Sequence, residues 1–272
     1  MNIPFTKMNG SGNDFILIDG RTGLLDGMDR AEFSRKVCRR REAVGADGVI
    51  VIESSDRADF SWDFYNSDGS VAEMCGNGAR CAARFAHMKR ISGREMKFET
   101  LAGIISARVY GSIVKVKLTD PFDFVKMGTL KVDGNNYRFS FINTGVPHTV
   151  LVAADLQRAD VEGLGRKIRF HRRFKSAGTN VNFIEVKEGV VHVRTYERGV
   201  EGETLACGTG SVACGIVAYH LGLTETPVRV QSKSGDKLDV DFIPLSEGAR
   251  NVYLTGTTAL VCEGKIKKEA LT

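Results

Sequence analysis

Long apolar runs are missing from this 272-residue chain. No stretch approaches the roughly 20 residues that a membrane-crossing helix needs. The opening residues, Met1-Asn2-Ile3-Pro4-Phe5-Thr6-Lys7, hold no apolar segment of signal-peptide length. The expectation is a soluble cytoplasmic protein with no membrane partner. Cys-x-x-Cys is missing too, which argues against a zinc ribbon or a thioredoxin-type site. The six cysteines, at 38, 75, 81, 207, 214 and 262, are scattered, and that suits a reducing cytosol better than a disulfide scaffold. Six residues along a helix turn it by about 600°, so Cys75 and Cys81 do not share a face and are poorly placed to hold one metal. No metal site is expected. No cofactor motif is present, and no cofactor is expected. Charge is weakly biased, at +5. Its two basic clusters, Arg39-Arg40-Arg41 and residues 166–173, fit solvated helix faces better than a nucleic-acid footprint, because no nucleic-acid fold signature accompanies them.

What the chain does have is ordinary globular composition, 42% hydrophobic and 26% charged, enough for a sizeable core and two domains. Aromatics are sparse at 8%, while glycine reaches 30 residues, which suits many turns and closely approached backbone. One stretch organises the rest: Glu73-Met74-Cys75-Gly76-Asn77-Gly78-Ala79-Arg80-Cys81. It returns as Leu205-Ala206-Cys207-Gly208-Thr209-Gly210-Ser211-Val212-Ala213-Cys214. Both copies have the form Cys-Gly-x-Gly and both run on into helix-forming residues. A single free cysteine is usually a small buried hydrophobe. Burial alone, however, does not require glycine at the same two offsets twice.

A cysteine at the start of such a helix faces N–H groups that lack internal partners and carry partial positive charge. Those groups stabilise a thiolate, so the cysteine can fall well below its free pKa of about 8.5. The glycines let a ligand carboxylate approach the same N–H groups. Cys207 lies 132 residues after Cys75, close to half the chain. The pattern implies an imperfect duplication, in which two similar domains each present a helix N-terminus.

The remaining elements follow from periodicity. A polar, glycine-bearing loop is expected over Lys7–Phe15, leading to a strand over Phe15–Ile18. An amphipathic helix is expected over 29–41, followed by strands at Val49–Ile52 and Trp62–Tyr65. The second of these ends in the turn Asn66-Ser67-Asp68-Gly69. Strands are expected at Met96–Thr100, Ile104–Tyr110 and Val114–Leu118, with a break at Asp120-Pro121. The second half should carry strands at Tyr137–Ile142, Thr149–Val152, Asn182–Val186, Val190–Tyr196, Val228–Gln231, Leu238–Phe242 and Val252–Thr255. Two helices should lie among them. One covers about Ala154–Phe170; the other follows Cys207, is apolar on nearly all sides, and ends at Gly222. The expected fold is α/β in the α+β sense: two pseudo-symmetric domains, each a mostly antiparallel, barrel-like sheet wrapped around a central helix. The active site would lie in the interdomain cleft. The domains should be 1–118 with 258–272, and 119–257.

Two thiols on opposite faces of one carbon can invert it. One, as thiolate, removes the α-proton, and the other delivers a proton from the far side. The carbanion between these steps puts charge on the adjacent carboxylate, and two helix N-termini would meet that charge. Only one cysteine should ionise at a time, since like charges close together disfavour each other.

At this point the residues resemble the diaminopimelate epimerase family. The resemblance rests on Asn-Gly-Ser-Gly-Asn-Asp-Phe at 9–15, Tyr-Asn-Ser-Asp-Gly-Ser at 65–70, the first cysteine motif at 75–81, and Pro-His at 147–148. Glu-Arg-Gly at 197–199 and Glu-Thr-Leu-Ala-Cys-Gly-Thr-Gly at 203–210 complete it. The resemblance spans nearly the whole chain in the family's order. It implies a cofactor-independent isomerase that interconverts LL- and meso-diaminopimelate, on the route to lysine and, in bacteria, peptidoglycan. By motif position Cys75 and Cys207 would exchange the proton, and Gly76, Asn77, Gly208 and Thr209 would hold the reacting carboxylate. Asn13, Asn66, Asn182 and Arg198 would recognise the distal end, with Glu197 and His148 beside the reacting centre. The choice of Asn182 over Asn180 rests on the resemblance alone. Two positions depart from it: Val146 stands where many members have Asn, and Gly48 where Gln is often found. Those distal contacts are then missing, or left to water or backbone. The interval around Val200-Glu201-Gly202 is one residue longer than in some members. The partner is a small molecule; the sequence does not fix the oligomeric state, and a homodimer is admissible.

Two other readings fit part of the pattern. A proline or hydroxyproline racemase would share the two cysteines but need a pocket for a small ring, against which Arg198, Asn13, Asn66 and Asn182 argue. A thiol redox protein would use Cys75 and Cys207 as a reversible disulfide, and it leaves the twin glycine motifs unexplained.

Overall fold

The computed structural model describes residues 2–174 and 177–271. In chain order its first elements are β1 (Asn2–Gly10), β2 (Asn13–Asp19), α1 (Arg30–Val37), β3 (Gly48–Glu53), β4 (Phe60–Asn66) and α2 (Gly76–Met88). There follow β5 (Glu95–Thr100), β6 (Gly103–Tyr110), β7 (Ile113–Lys117), β8 (Phe122–Val132), β9 (Asn135–Asn143), β10 (Pro147–Val152) and α3 (Gly163–Arg169). The chain closes with β11 (Asn180–Lys187), β12 (Val190–Glu197), β13 (Gly202–Thr204), α4 (Gly208–His220), β14 (Val228–Gln231), β15 (Lys237–Pro244), β16 (Ala249–Thr257) and β17 (Ala259–Lys267).

The chain divides into two compact units, Met1–Val116 with Gly256–Thr272, and Lys117–Thr255. Each join lies two residues before the expected boundary. In the first unit β1 and β2 are antiparallel, β2 runs parallel to β3, β3 antiparallel to β4, β4 parallel to β5, and β5 antiparallel to β6. In the second unit β9, β10, β11, β12, β14 and β15 repeat that series link for link. The helices occupy matching places: α1 and α3 follow the second strand of the series, α2 and α4 the fourth. The first unit adds β17 beside β1 and β7 beside β6; the second adds β8 beside β9 and β13 beside β12. This is the expected α+β duplication, mostly sheet with one long helix per unit.

Helix α4 lies among the strands because it has almost no polar face, and α2 because its apolar face is broad, with Arg84 and His87 left half-buried on the other side. Helix α4 packs against β9, β10, β11, β12, β14 and β15. Its Val212, Ile216 and Val217 are buried with Val150, Ile184, Val191, Val228 and Val240. Each such side chain stabilises the fold by about 1.5–3 kcal/mol through burial. Helix α2 packs against β1, β2, β3 and β6, and buries Ala79, Cys81, Ala82, Ala83, Phe85 and Ala86. At the far end of α4, Gly222 takes φ 72°, and Leu223 N–H returns to the Ala218 carbonyl, the glycine stop expected there.

Several elements differ from expectation for local reasons. Lys7–Gly10 is not loop: β1 runs to Gly10, and only Ser11 and Gly12, at φ 54° and 88°, turn the chain in a two-residue hairpin. Helix α1 is shorter than 29–41, beginning after Asp29, whose Oδ1 caps Glu32 N–H at 3.0 Å. The helix expected over Ala154–Phe170 is confined to α3. Asp155 draws Gln157 N–H into a turn at 3.0 Å, and Asp160 takes the N–H groups of Gly163 and Leu164 at 2.8 and 3.0 Å, so the helix starts only there. Strands β8, β13 and β17 were not anticipated; β8 and β17 are largely exposed and lack apolar alternation.

Candidate active site

Each unit carries a polar cluster around a cysteine at the N-terminus of its long helix. Cys75 is the N-cap of α2, in extended backbone, with its Sγ accepting from Gly78 N–H at 3.4 Å. Cys207 caps α4 in the same way, with Sγ accepting from Gly210 N–H at 3.4 Å. Sulfur thus stands where Ser or Asp usually caps a helix, meeting the N–H groups that favour negative charge. Both thiols are half-buried. The neighbouring Cys81 and Cys214 are fully buried instead. Burial pushes the Cys81 thiol up to about 12 and the Cys214 thiol well above the usual range, so both remain packing residues. Cys38 is likewise pushed up by burial, to about 11.

The cluster of the first unit is an amide relay. Asn77 donates its side-chain N–H to Asn13 Oδ1 at 2.7 Å, and Asn13 donates to Asp47 Oδ2 at 3.0 Å. Arg80, fully buried one turn into α2, reaches Asn77 Oδ1 at 2.9 Å, Ser11 Oγ at 2.7 Å and the Gly76 carbonyl at 3.2 Å. Asp47 and Asp14 are paired with Arg40. Asn66 stands apart at the end of β4, donating to Ser70 Oγ at 3.0 Å. Gly48 sits opposite Asn66 in the ladder. A Cβ on Gly48 would lie 2.6 Å from the Tyr65 carbonyl and 2.8 Å from the Phe64 ring, so this backbone admits no side chain there.

The cluster of the second unit is a hydrogen-bond chain. Thr209 Oγ1 is 3.5 Å from Cys207 Sγ and 3.0 Å from His148 Nε2, and His148 Nδ1 is 3.1 Å from Asn182 Nδ2. His148 is fully buried; burial first, and the Arg198 charge second, push its imidazole down to about 3. It is a neutral ring at physiological pH. Asn182, expected at the distal end of a substrate, is also fully buried, and both its side-chain atoms are engaged by the protein. It supports His148 and is not exposed to a ligand. Asn180 belongs with Arg198: its Oδ1 accepts Arg198 N–H at 2.8 Å, and its Nδ2 donates to the Pro147 carbonyl at 3.1 Å. Arg198 also donates to the Ala177 carbonyl at 3.2 Å. Glu197 ends β12, and burial pushes its carboxyl above the usual range.

Sequence reasoning missed Ser11, Arg80, Asp47, Thr144 and Thr195, and it set Asn180 aside in favour of Asn182. Arg80 alone left a signal, as a charge on an otherwise buried helix.

The fold is shared with solved structures, and the sequence with a known family. The structure of a phenazine biosynthesis protein of the PhzF family from Bacillus anthracis superposes with TM-score 0.68 at 16% identity, covering 98% of this chain and 99% of that one. That of a probable proline racemase from Agrobacterium radiobacter superposes with TM-score 0.72 at 13% identity, covering 98% and 93%. At such identities the likeness is one of fold. Sequence goes further. The family model described as diaminopimelate epimerase matches residues 5–122 and 140–259. A diaminopimelate epimerase of Aquifex aeolicus is 51% identical, with 99% of each chain covered. One of Archaeoglobus fulgidus is 42% identical over 100% of this chain and 99% of its own. The protein is an isomerase. It belongs to the diaminopimelate epimerase family.

Proposed function

We propose that this chain interconverts LL- and meso-diaminopimelate by a two-base mechanism without a cofactor, using Cys75 and Cys207 as the proton-exchanging pair. The observation that carries the reading is the twin cysteine cap. In a member of this family, two sulfurs occupy the same position on two equivalent helices, each accepting from the third N–H. The reading requires the sulfurs to reach opposite faces of one α-carbon. One, as thiolate, takes the proton, and the electron pair left behind spreads into the adjacent carboxylate; the other, as thiol, returns a proton to the opposite face. The N–H groups at Gly76-Asn77 and Gly208-Thr209 would hold that carboxylate where its charge grows, and a single such donor is typically worth about 10²–10³ in rate. Arg198 offers the distal carboxylate a planar fork, and the reading also assigns Asn13 and Asn66 to that end of the substrate. The place in metabolism would be lysine and cell-wall precursor synthesis. Six cysteines outside any disulfide suit a reducing compartment, and we read the cytoplasm as its site.

A second reading, a proline or hydroxyproline racemase, draws on the shared fold. Turnover of LL-diaminopimelate and of proline by the same dialysed protein separates the two. Inversion of diaminopimelate alone, without added pyridoxal phosphate, is expected; inversion of proline alone would overturn the proposal.

A further inference from the structure

The chain of hydrogen bonds behind Cys207 has a direction, and its far end fixes it. The Thr149 carbonyl can only accept, and it lies 3.2 Å from the Asn182 amide, so the NH2 of Asn182 faces it. The other atom of that amide, Oδ1, accepts from the Thr195 hydroxyl at 3.0 Å. With the amide set this way, its second N–H points at His148 Nδ1, 3.1 Å away, and that nitrogen must be the acceptor. A neutral imidazole with a bare Nδ1 carries its proton on Nε2. That proton goes to Thr209 Oγ1 at 3.0 Å. Having received a hydrogen bond there, the hydroxyl has one hydrogen of its own to give, and its next partner is Cys207 Sγ at 3.5 Å. Thr144 steadies the same residue by donating to the Thr209 carbonyl at 3.1 Å.

We propose that Asn182 is a positioning residue which, through His148 and Thr209, aims a hydroxyl hydrogen at Cys207 and so holds that sulfur as the thiolate of the resting enzyme. The sulfur then accepts twice, from Thr209 O–H and from Gly210 N–H. In the first unit the counterpart of Thr209 is Asn77, an amide that donates to Asn13 and accepts from Arg80, with no imidazole behind it. On the functional reading above, on which the catalytic use of this device rests, Cys207 is the resting base and Cys75 the resting acid. The structure supplies a reason for Gly210 as well: a Cβ there would lie 2.7 Å from Asn182 Oδ1 and 3.2 Å from Cys207 Sγ, wedging the chain apart.

Two measurements test the device without relying on turnover. Long-range proton–nitrogen correlation on the imidazoles, with His148 assigned by its loss in His148→Gln, should show the Nε2–H form at neutral pH; an Nδ1–H form would overturn the proposal. Site-resolved alkylation by iodoacetamide reads the second. In Asn182→Asp the carboxylate accepts from Nδ1–H, the ring proton moves, and Thr209 turns its hydrogen toward Nε2. The ratio of Cys207 to Cys75 labelling within one sample should then fall about tenfold, the change that one pKa unit makes in thiolate fraction. An unchanged ratio in the folded variant would overturn the proposal. Should Asn182→Asp not fold, Thr209→Ser and Thr209→Val replace it: serine should keep the ratio and valine lower it, and equal ratios would count against the device. Failure to epimerise diaminopimelate with both of these results intact would sink the functional reading and leave the hydrogen-bond chain standing.

Discussion

Helices α2 and α4 begin alike and then diverge. Both are 13 residues long, both are capped by cysteine, and both place glycine at the first and third helical positions. Around this shared backbone the side chains differ. At the first helix a buried guanidinium fixes Asn77, which fixes Asn13. At the second, where Val212 stands in the place of Arg80, a buried neutral imidazole fixes Thr209. The lesson is a division of labour within a duplication. What the proposed two-sided proton exchange needs from each half, a sulfur capping the first N–H groups of a helix, is repeated. What would distinguish a base from an acid, Thr209 backed by His148 in one unit and Asn77 held by Arg80 in the other, is not repeated.

The largest expected break is the loss of either sulfur. Cys75→Ala and Cys207→Ala should each lower kcat by about 10³-fold, within the range positioned acids and bases supply, as measured by epimerase assay on diaminopimelate. Near-normal activity in either variant would end the symmetry between the halves and favour a redox role. A smaller and unequal effect should come from the third-position glycines. A Cβ on Gly78 would press on the Ile50 methyl at 3.1 Å and meet Cys75 Cβ and the Phe15 ring at an ordinary 3.6 Å, whereas one on Gly210 would strike Asn182 Oδ1 at 2.7 Å. Gly210→Ala should therefore lose about 10²-fold, the cost of an ångström-scale misplacement, and Gly78→Ala less than about tenfold. The reverse order would show that the supporting side chains do not matter as described.

The smallest effect is on stability. The unfolded imidazole of His148 binds a proton near 6.5, but the buried one refuses it until about 3. Between those values the unfolded state holds more protons, so stability falls as pH drops through the window, by at most about 1.4 kcal/mol per pH unit from this group. Thermal melts of the parent and of His148→Gln should show a shallower acid loss in the variant. Equal slopes would mean that His148 is protonated in the fold.

Much of this was legible in the sequence. Cysteine caps and glycine offsets are local, so spacing alone placed both helix starts. Alternating runs such as Val114-Lys115-Val116 placed the strands that have one buried face. What could not be seen was set by partners distant in the chain. Asn182 pairs with His148 because β10 and β11 lie parallel, with His148 opposite Asn180. No local signal chooses between the two asparagines, and the resemblance pointed Asn182 toward substrate when the fold points it toward His148. Arg80 could be read as a surface charge until burial showed otherwise, and β17 carries no periodicity because it buries almost nothing.

The central claim is that two sulfurs serve one carbon from opposite sides, and isotope exchange tests it most directly. LL-diaminopimelate should be converted in deuterium oxide and sampled early. The account predicts meso product carrying deuterium at the inverted carbon, while the remaining LL substrate stays essentially unlabelled there. Product that retains its original hydrogen would mean that one base both removes and returns the proton, and the two-thiol account would be wrong.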